Sequence, residues 1–427
     1  MPRKQFSRTA RKFLSHAAVS LVLASCAAAS SYTVLHVFQW ASEPQGGMTF
    51  DAAGNLYGAA AAGAGHNLGA IFKLTPHADG NWTSTIIHGF SGPDGQIPNG
   101  ELVFDSAGNL YGTTLAGGTH SSGVVFKLTP HKNGTWTETV LYNFKGAADG
   151  GFPTAGLIFD AAGNLYGTTS GNAFDGPICS TFCDVVFKLA PHTDGTWTES
   201  VLHTFTGLDG GNPYARLVFD RAGNLYSTTA NGGPAGSGDV FELTPNGDST
   251  WKFSIIFAFD GGSDGGGPSS ELIIDGSGNL YGLASYGGSS IVTEDCNDIG
   301  CGLVFQLTPS ASGTWTENVL YTFLGQEDGG PPNIGDALIF DAAGNLYGTT
   351  TFGGLAPKAC TSFGQVGCGV VFELTPGMGG WNESVVHSFD GFGKWTYSRL
   401  VLGASGDLYG TTFSGCTGHG LAFKITP

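Results

Sequence analysis

The segment Asp-x-x-Gly-Asn-Leu-Tyr begins at Asp51, Asp105, Asp160, Asp220, Asp275 and Asp341, and a degenerate seventh copy runs from Gly403 to Tyr409. Successive copies stand 54 to 66 residues apart. A period of that size, made of short apolar runs and Gly-rich turns, does not suit a solenoid, whose repeats are mostly shorter or helical. It reads as the blades of a propeller.

One unit shows why. In the second copy, Leu102-Val103-Phe104 is a short apolar strand, a, ending at Asp105. Asp105-Ser106-Ala107-Gly108 has the chemistry of a type I turn, with Asp first and Gly fourth, where a left-handed backbone is needed. Residues 109–114 form strand b. Residues 123–128 form strand c, stopped at Thr129-Pro130 because Pro cannot donate to a ladder. Residues 136–144, opening on Trp136, form strand d, and Asp149-Gly150 turns the chain toward the next strand a. Four antiparallel strands make one blade.

The last copy supplies strands a, b and c and then the chain stops at Pro427. At the other end, Tyr32-Thr33-Val34-Leu35-His36-Val37-Phe38 matches strand d elsewhere. The N-terminal strand is therefore expected to complete the seventh blade and remove an open sheet edge. The fold expected is all-β, a seven-bladed β-propeller over residues 32–427. Trp82, Trp136, Trp197, Trp251, Trp315 and Trp381 recur at the start of strand d, which reads as blade packing rather than a sugar-stacking platform.

The leader comes first. Arg3, Lys4, Arg8, Arg11 and Lys12 precede an apolar stretch from Phe13 to Leu23, the pattern of a secretory signal and too short for a membrane span. Ala27-Ala28-Ala29 offers a cleavage site for a signal peptide of residues 1–29. Leu23-Ala24-Ser25-Cys26 offers a lipobox instead, with a signal of 1–25 and Cys26 lipidated. Either route takes the protein out of the cytoplasm, to the extracellular space, the periplasm or the outer membrane.

The whole chain carries a net charge of −17, and losing the five basic leader residues takes it to −22. An acidic surface without a basic stripe argues against nucleic acid. It leaves cations, glycans and proteins as partners of a monomer with no transmembrane segment. Gly accounts for 71 residues, but these recur at fixed offsets and are turn chemistry rather than disorder.

Spacing separates the two faces of the disk. From the motif Tyr to the Phe of strand c the separations are 15, 15, 21, 15, 24, 25 and 14 residues, whereas the a–b turn is constant. In a four-stranded blade the b–c and d–a loops share one face, so all the insertions fall on that face. Rigid scaffold on one side and variable loops on the other is how binding sites are usually distributed. Each long b–c loop also carries two cysteines: Cys179 with Cys183, Cys296 with Cys301, and Cys360 with Cys368. A pair arriving with each insertion in an exported chain reads as a local disulfide rather than a zinc site. Cys416 is left over.

Candidate chemistry is thin. The Asp residues ending strand a read as turn caps rather than a carboxylate ring. A second set on the variable face, Asp94, Asp149, Asp209, Asp264 and Asp328, could hold Ca2+ or a polyol around the channel mouth. His66 and His120 lie alone in b–c loops as further ligand-face candidates, and His36, His88, His203 and His387 fill an aromatic position of strand d. No catalytic residue, cofactor motif or metal motif stands out.

The segments Gly-Asn-Leu-Tyr-Gly-Thr-Thr and Gly-Val-Val-Phe-x-Leu-Thr-Pro, repeated from about Tyr32 to Pro427, resemble those of the GloVer tandem-repeat family of bacterial exported proteins. The a–b piece alone is also similar to NHL-type propeller repeats. The resemblance implies a propeller and an exported location, and it transfers no site; the seventh copy departs from it at Gly403 and Asp407. The function expected is a non-enzymatic binding or scaffold module of the cell envelope or extracellular space. The alternative is an extracellular hydrolase or lyase acting on a polysaccharide or lactone at the channel mouth.

Overall fold

A computed structural model describes residues 30–38, 43–171, 183–288, 296, 299–325, 327–332, 336–355, 360–362, 365–415 and 419–427. Seven blades of antiparallel strands surround one axis, and no α-helix occurs among the described residues. Blade 2 shows the plan. Strand a (Val103–Phe104) pairs with b (Leu110–Ala116), b with c (Val124–Pro130), and c with d (Trp136–Asn143). The chain is closed as the sequence predicts: Ser31–Val37 pairs antiparallel with the last strand, Leu421–Thr426, as strand d of blade 7. Among the described residues no helix is long and apolar enough to cross a membrane.

The strand chemistry follows from position in the blade. Strand b is buried on both faces, since it lies between neighbouring blades, and strand d alternates half-buried and exposed residues at the rim. The motif residue of strand b is Gly in six blades and Ser227 in blade 4, and where it is Gly the neighbours approach closely. A Cβ on Gly112 would stand 2.7 Å from the Phe126 ring and 2.7 Å from Leu102. That Phe is fully buried in blades 1 to 6, as Phe72, Phe126, Phe187, Phe241, Phe305 and Phe372.

Blade-to-blade packing carries the tryptophans. Trp136 meets Tyr57 of the preceding blade edge-on at 5.9 Å, and Trp82 of blade 1 meets Tyr409 of blade 7 at 6.1 Å. The same contact therefore runs across the seam where the chain ends meet. Strand d also carries a register shift, between Val140 and Tyr142 in blade 2. A bulge of this kind re-aims the residue that follows it. Here it turns Tyr142 toward the d–a loop.

Candidate functional site

Immediately before strand a, at the axis, the seven blades place Gly47, Glu101, Gly156, Arg216, Glu271, Ala337 and Arg399. The four charged members meet. Arg216 reaches Glu101 at 3.0 Å and Glu271 at 2.5 Å, while Arg399 reaches Glu101 at 3.2 Å and Glu271 at 3.3 Å. Their side chains are only 12% to 25% exposed. Glu271 above all, with Glu101, keeps Arg399 charged against the cost of its burial. Two acids and two bases cancel, and each glutamate is gripped by two guanidinium groups as a counter-ion. The cavity around them is about 70 Å³, room for about five waters. Sequence reading missed this quartet. The available signal was an alternation of Glu and Arg at one position otherwise held by Gly or Ala.

The Asp residues ending strand a are turn caps. Asp105 accepts the N–H groups of Ala107 and Asn109, each at 2.9 Å, the Asn109 amide at 2.7 Å and the Tyr111 hydroxyl at 3.0 Å. Burial pushes its carboxyl up, but these hydrogen bonds outweigh burial and hold it below the usual range; Asp51, Asp160 and Asp275 behave alike. In the degenerate seventh copy Asp407 compensates by taking Lys424 at 2.8 Å. A groove of about 520 Å³ lies on this face between blades 1 and 2, lined by Tyr57, Phe104 and Trp136. Its polar edge is Asp51 and Asp105, whose carboxylates are already committed to the turns.

On the opposite, variable face, the five sequence-predicted aspartates sit one per d–a loop and do not converge on one point. Asp94 accepts from Ser91 and from His88 at 3.1 Å, and Asp209 from Thr206 and from His203 at 2.9 Å. Asp149 accepts the Tyr142 hydroxyl at 2.8 Å, and Asp328 the Tyr321 hydroxyl at 2.9 Å. Asp264 accepts the Asp260 N–H at 2.9 Å. The strand d histidines of blades 1 and 3 are thus more than aromatic fillers, because the bulge aims them at these carboxylates. His66 is exposed, and the His120 ring bonds its neighbour Thr119 at 2.9 Å.

Each of four aspartates also faces a glutamate on strand d of the next blade. Burial first, then the charges of Asp94, Asp149, Asp264 and Asp328, push Glu138, Glu199, Glu317 and Glu383 up to about 7. One oxygen of each glutamate has no hydrogen-bond partner among the described residues. Elsewhere this place is taken by Phe253, stacked on His203 at 3.8 Å, and by Tyr32, stacked on His387 at 4.1 Å.

The insertions are stapled as expected at Cys296–Cys301 and Cys360–Cys368. Cys183 is disulfide-bonded too, whereas Cys179, Cys416 and Cys26 lie outside the described residues. The variable face exposes large apolar side chains, Leu208 (75%), Leu355 (65%), Ile299 (57%), Leu324 (48%) and Phe392 (43%), while Met378 is fully exposed in a c–d turn of the constant face. The first five belong to b–c or d–a loops of blades 3 to 6.

The Gloeobacter/Verrucomicrobia repeat matches residues 22–182 and 179–358. The chain belongs to this repeat family. Curated proteins yield no match. Among solved structures, this Gloeobacter/Verrucomicrobia repeat protein is similar to an ancestral GH74 enzyme at 13% identity and a TM-score of 0.56. That likeness covers 93% of this chain and 51% of the other. It is also similar to a gluconolactonase of Xanthomonas campestris at 15% identity and a TM-score of 0.42, over 75% of this chain and 86% of that one. At such identities the likeness concerns the fold alone. The channel of this repeat protein holds the Glu–Arg quartet.

Proposed function

We propose that this protein is a non-enzymatic binding or scaffold module of the cell envelope or extracellular space, and that it holds a protein partner on its b–c/d–a face. The observation that carries this reading is the contrast between its two candidate places. The channel is filled by neutralised charges around a cavity of about 70 Å³. The variable face leaves Leu208, Ile299, Leu324, Leu355 and Phe392 exposed on its loops, which offers apolar contacts to a partner. Four of the five are aliphatic. Glycan platforms are built on flat aromatic rings, and protein interfaces bury aliphatic chains as readily, so the composition favours a protein. Disulfides in three loops suit an oxidising compartment.

The alternative, hydrolysis or elimination on a polysaccharide or lactone at the channel mouth, requires the quartet to release a carboxylate. The deciding experiment measures retention of the purified, labelled chain on envelope fractions treated with protease or with glycosidases. Binding abolished by protease and indifferent to glycosidases is expected. Binding that survives protease and disappears with the glycans contradicts the protein reading.

A further inference from the structure

In six blades the residue after the first motif position is small, as Ala52, Ser106, Ala161, Gly276, Ala342 and Ala404; in blade 4 it is Arg221. That side chain crosses the seam to blade 5, where its guanidinium stands 4.0 Å from the place a Cβ would take on Gly276. A cation of the chain's own therefore lies between the turns headed by Asp220 and Asp275. The corresponding groove between blades 1 and 2 has Ala52 and Ser106 at these two places. It is open, with a volume of about 520 Å³.

Three half-buried rings line the open groove: Phe50, Phe104 and Trp136. Asp51 and Asp105 stand at its edge, and each accepts four hydrogen bonds of 2.7 to 3.0 Å from its own turn. Burial pushes both carboxyls up, and these hydrogen bonds more than offset it, so both stay charged. In blade 7 the compensating acid, Asp407, is paired with Lys424. Asp51 and Asp105 have no such ion pair among the described residues. The lysines of their blades turn instead onto tyrosine rings, Lys73 onto Tyr57 at 5.6 Å and Lys127 onto Tyr111 at 5.7 Å.

We propose that this groove binds a soluble quaternary ammonium compound, its charged head against Phe50, Phe104 and Trp136 and between Asp51 and Asp105. The two carboxylates supply negative charge but no free acceptor, because a carboxylate offers about four lone-pair sites and the turn uses all of them. An amine, a guanidinium or a sugar hydroxyl brings N–H or O–H groups that would leave water without finding those oxygens. A quaternary ammonium head has no such hydrogen to satisfy. It needs only nearby charge and aromatic faces, and the groove provides both. A free solute fits better than a lipid headgroup. The aliphatic side chains that a bilayer would take up stand on the loops of the opposite face, and the turns of this face expose Met378 alone among the described large apolar residues. This site is independent of the protein partner proposed for the variable face.

The test titrates the full chain calorimetrically with choline chloride at constant ionic strength, and separately with the uncharged tert-butyl analogue of choline. Wild type should bind one equivalent of choline and should bind the analogue about tenfold more weakly. Ala52→Arg, which gives this groove the arginine of blade 4, should weaken choline binding by about tenfold or more. It should melt as wild type does, since position 52 is exposed and blade 4 folds with arginine there. Wild type that ignores choline, equal affinity for the uncharged analogue, or full binding by Ala52→Arg would overturn the proposal. Arginine ethyl ester bound as tightly as choline would also overturn it, in favour of a guanidinium ligand. So would co-sedimentation with phosphatidylcholine vesicles that free choline reverses, in favour of a lipid.

Discussion

Arg399 Nη1 stands 3.2 Å from Glu101 Oε2, which ties the seventh blade to the second across the axis of the ring. With Arg216 and Glu271 the pair forms a neutral cluster, and such clusters respond asymmetrically to mutation. Removing one member leaves the cluster with one unbalanced charge, which costs about 3 kcal/mol at this degree of burial. Arg399→Met alone and Glu101→Gln alone should each lower the urea midpoint by that order. The double variant keeps the 2.5 Å contact of Arg216 with Glu271 and should cost less than the sum of the two. Additive losses would mean that the quartet is not a coupled unit.

The a–b turns give a second expectation. Asp105 accepts four hydrogen bonds within its own repeat. At about 1 kcal/mol net for each, less what water recovers, Asp105→Ala should cost about 2–3 kcal/mol. Asp105→Asn, which keeps an acceptor oxygen, should cost less.

What was legible in the sequence was whatever neighbouring residues settle among themselves. Asp105, Gly108, Asn109 and Tyr111 fix one turn within seven positions, and Pro130 ends one strand, so the blade could be drawn from a single copy. Closure was legible because residues 32–38 resemble strand d. The axial quartet was not, since Glu101 and Arg399 meet across 298 positions of sequence and only after the ring has closed. The aim of His88 and His203 depends on a bulge that no local signal announces.

Acidity should act in two directions. Glu138, Glu199, Glu317 and Glu383 rise from the ordinary 4.5 to about 7 in the folded protein. The folded state therefore binds more protons between these values, and the stability they contribute is full below pH 4.5 and lost as pH rises through 7. The turn aspartates lie below their ordinary 3.8, and their contribution is lost as pH falls beneath that value. Melting temperature should thus peak in mildly acidic buffer and drop by a few degrees toward pH 8. Replacing the four glutamates with glutamine should flatten the alkaline side and leave the acid side intact.

The loop staples should matter locally. Cys360 and Cys368 are fully buried and close a loop of sequence separation 8. The loop-entropy relation gives about 2.6 kcal/mol for that ring and about 2.2 kcal/mol for Cys296–Cys301. Replacing either pair with serine should lower the urea midpoint accordingly and open the corresponding b–c loop to proteolysis first. The ring itself should stay closed, because Ser31–Val37 remains paired with Leu421–Thr426.

The most direct test compares three variants of the purified chain for binding to the same envelope fraction. One removes apolar groups from the variable face (Leu208→Ser, Leu355→Ser, Phe392→Ser), one loosens the channel (Glu101→Gln with Arg399→Met), and one alters the constant face (Asp105→Asn). Loss of binding confined to the first is the result this account predicts. Retention by the first together with loss in the channel variant would contradict it.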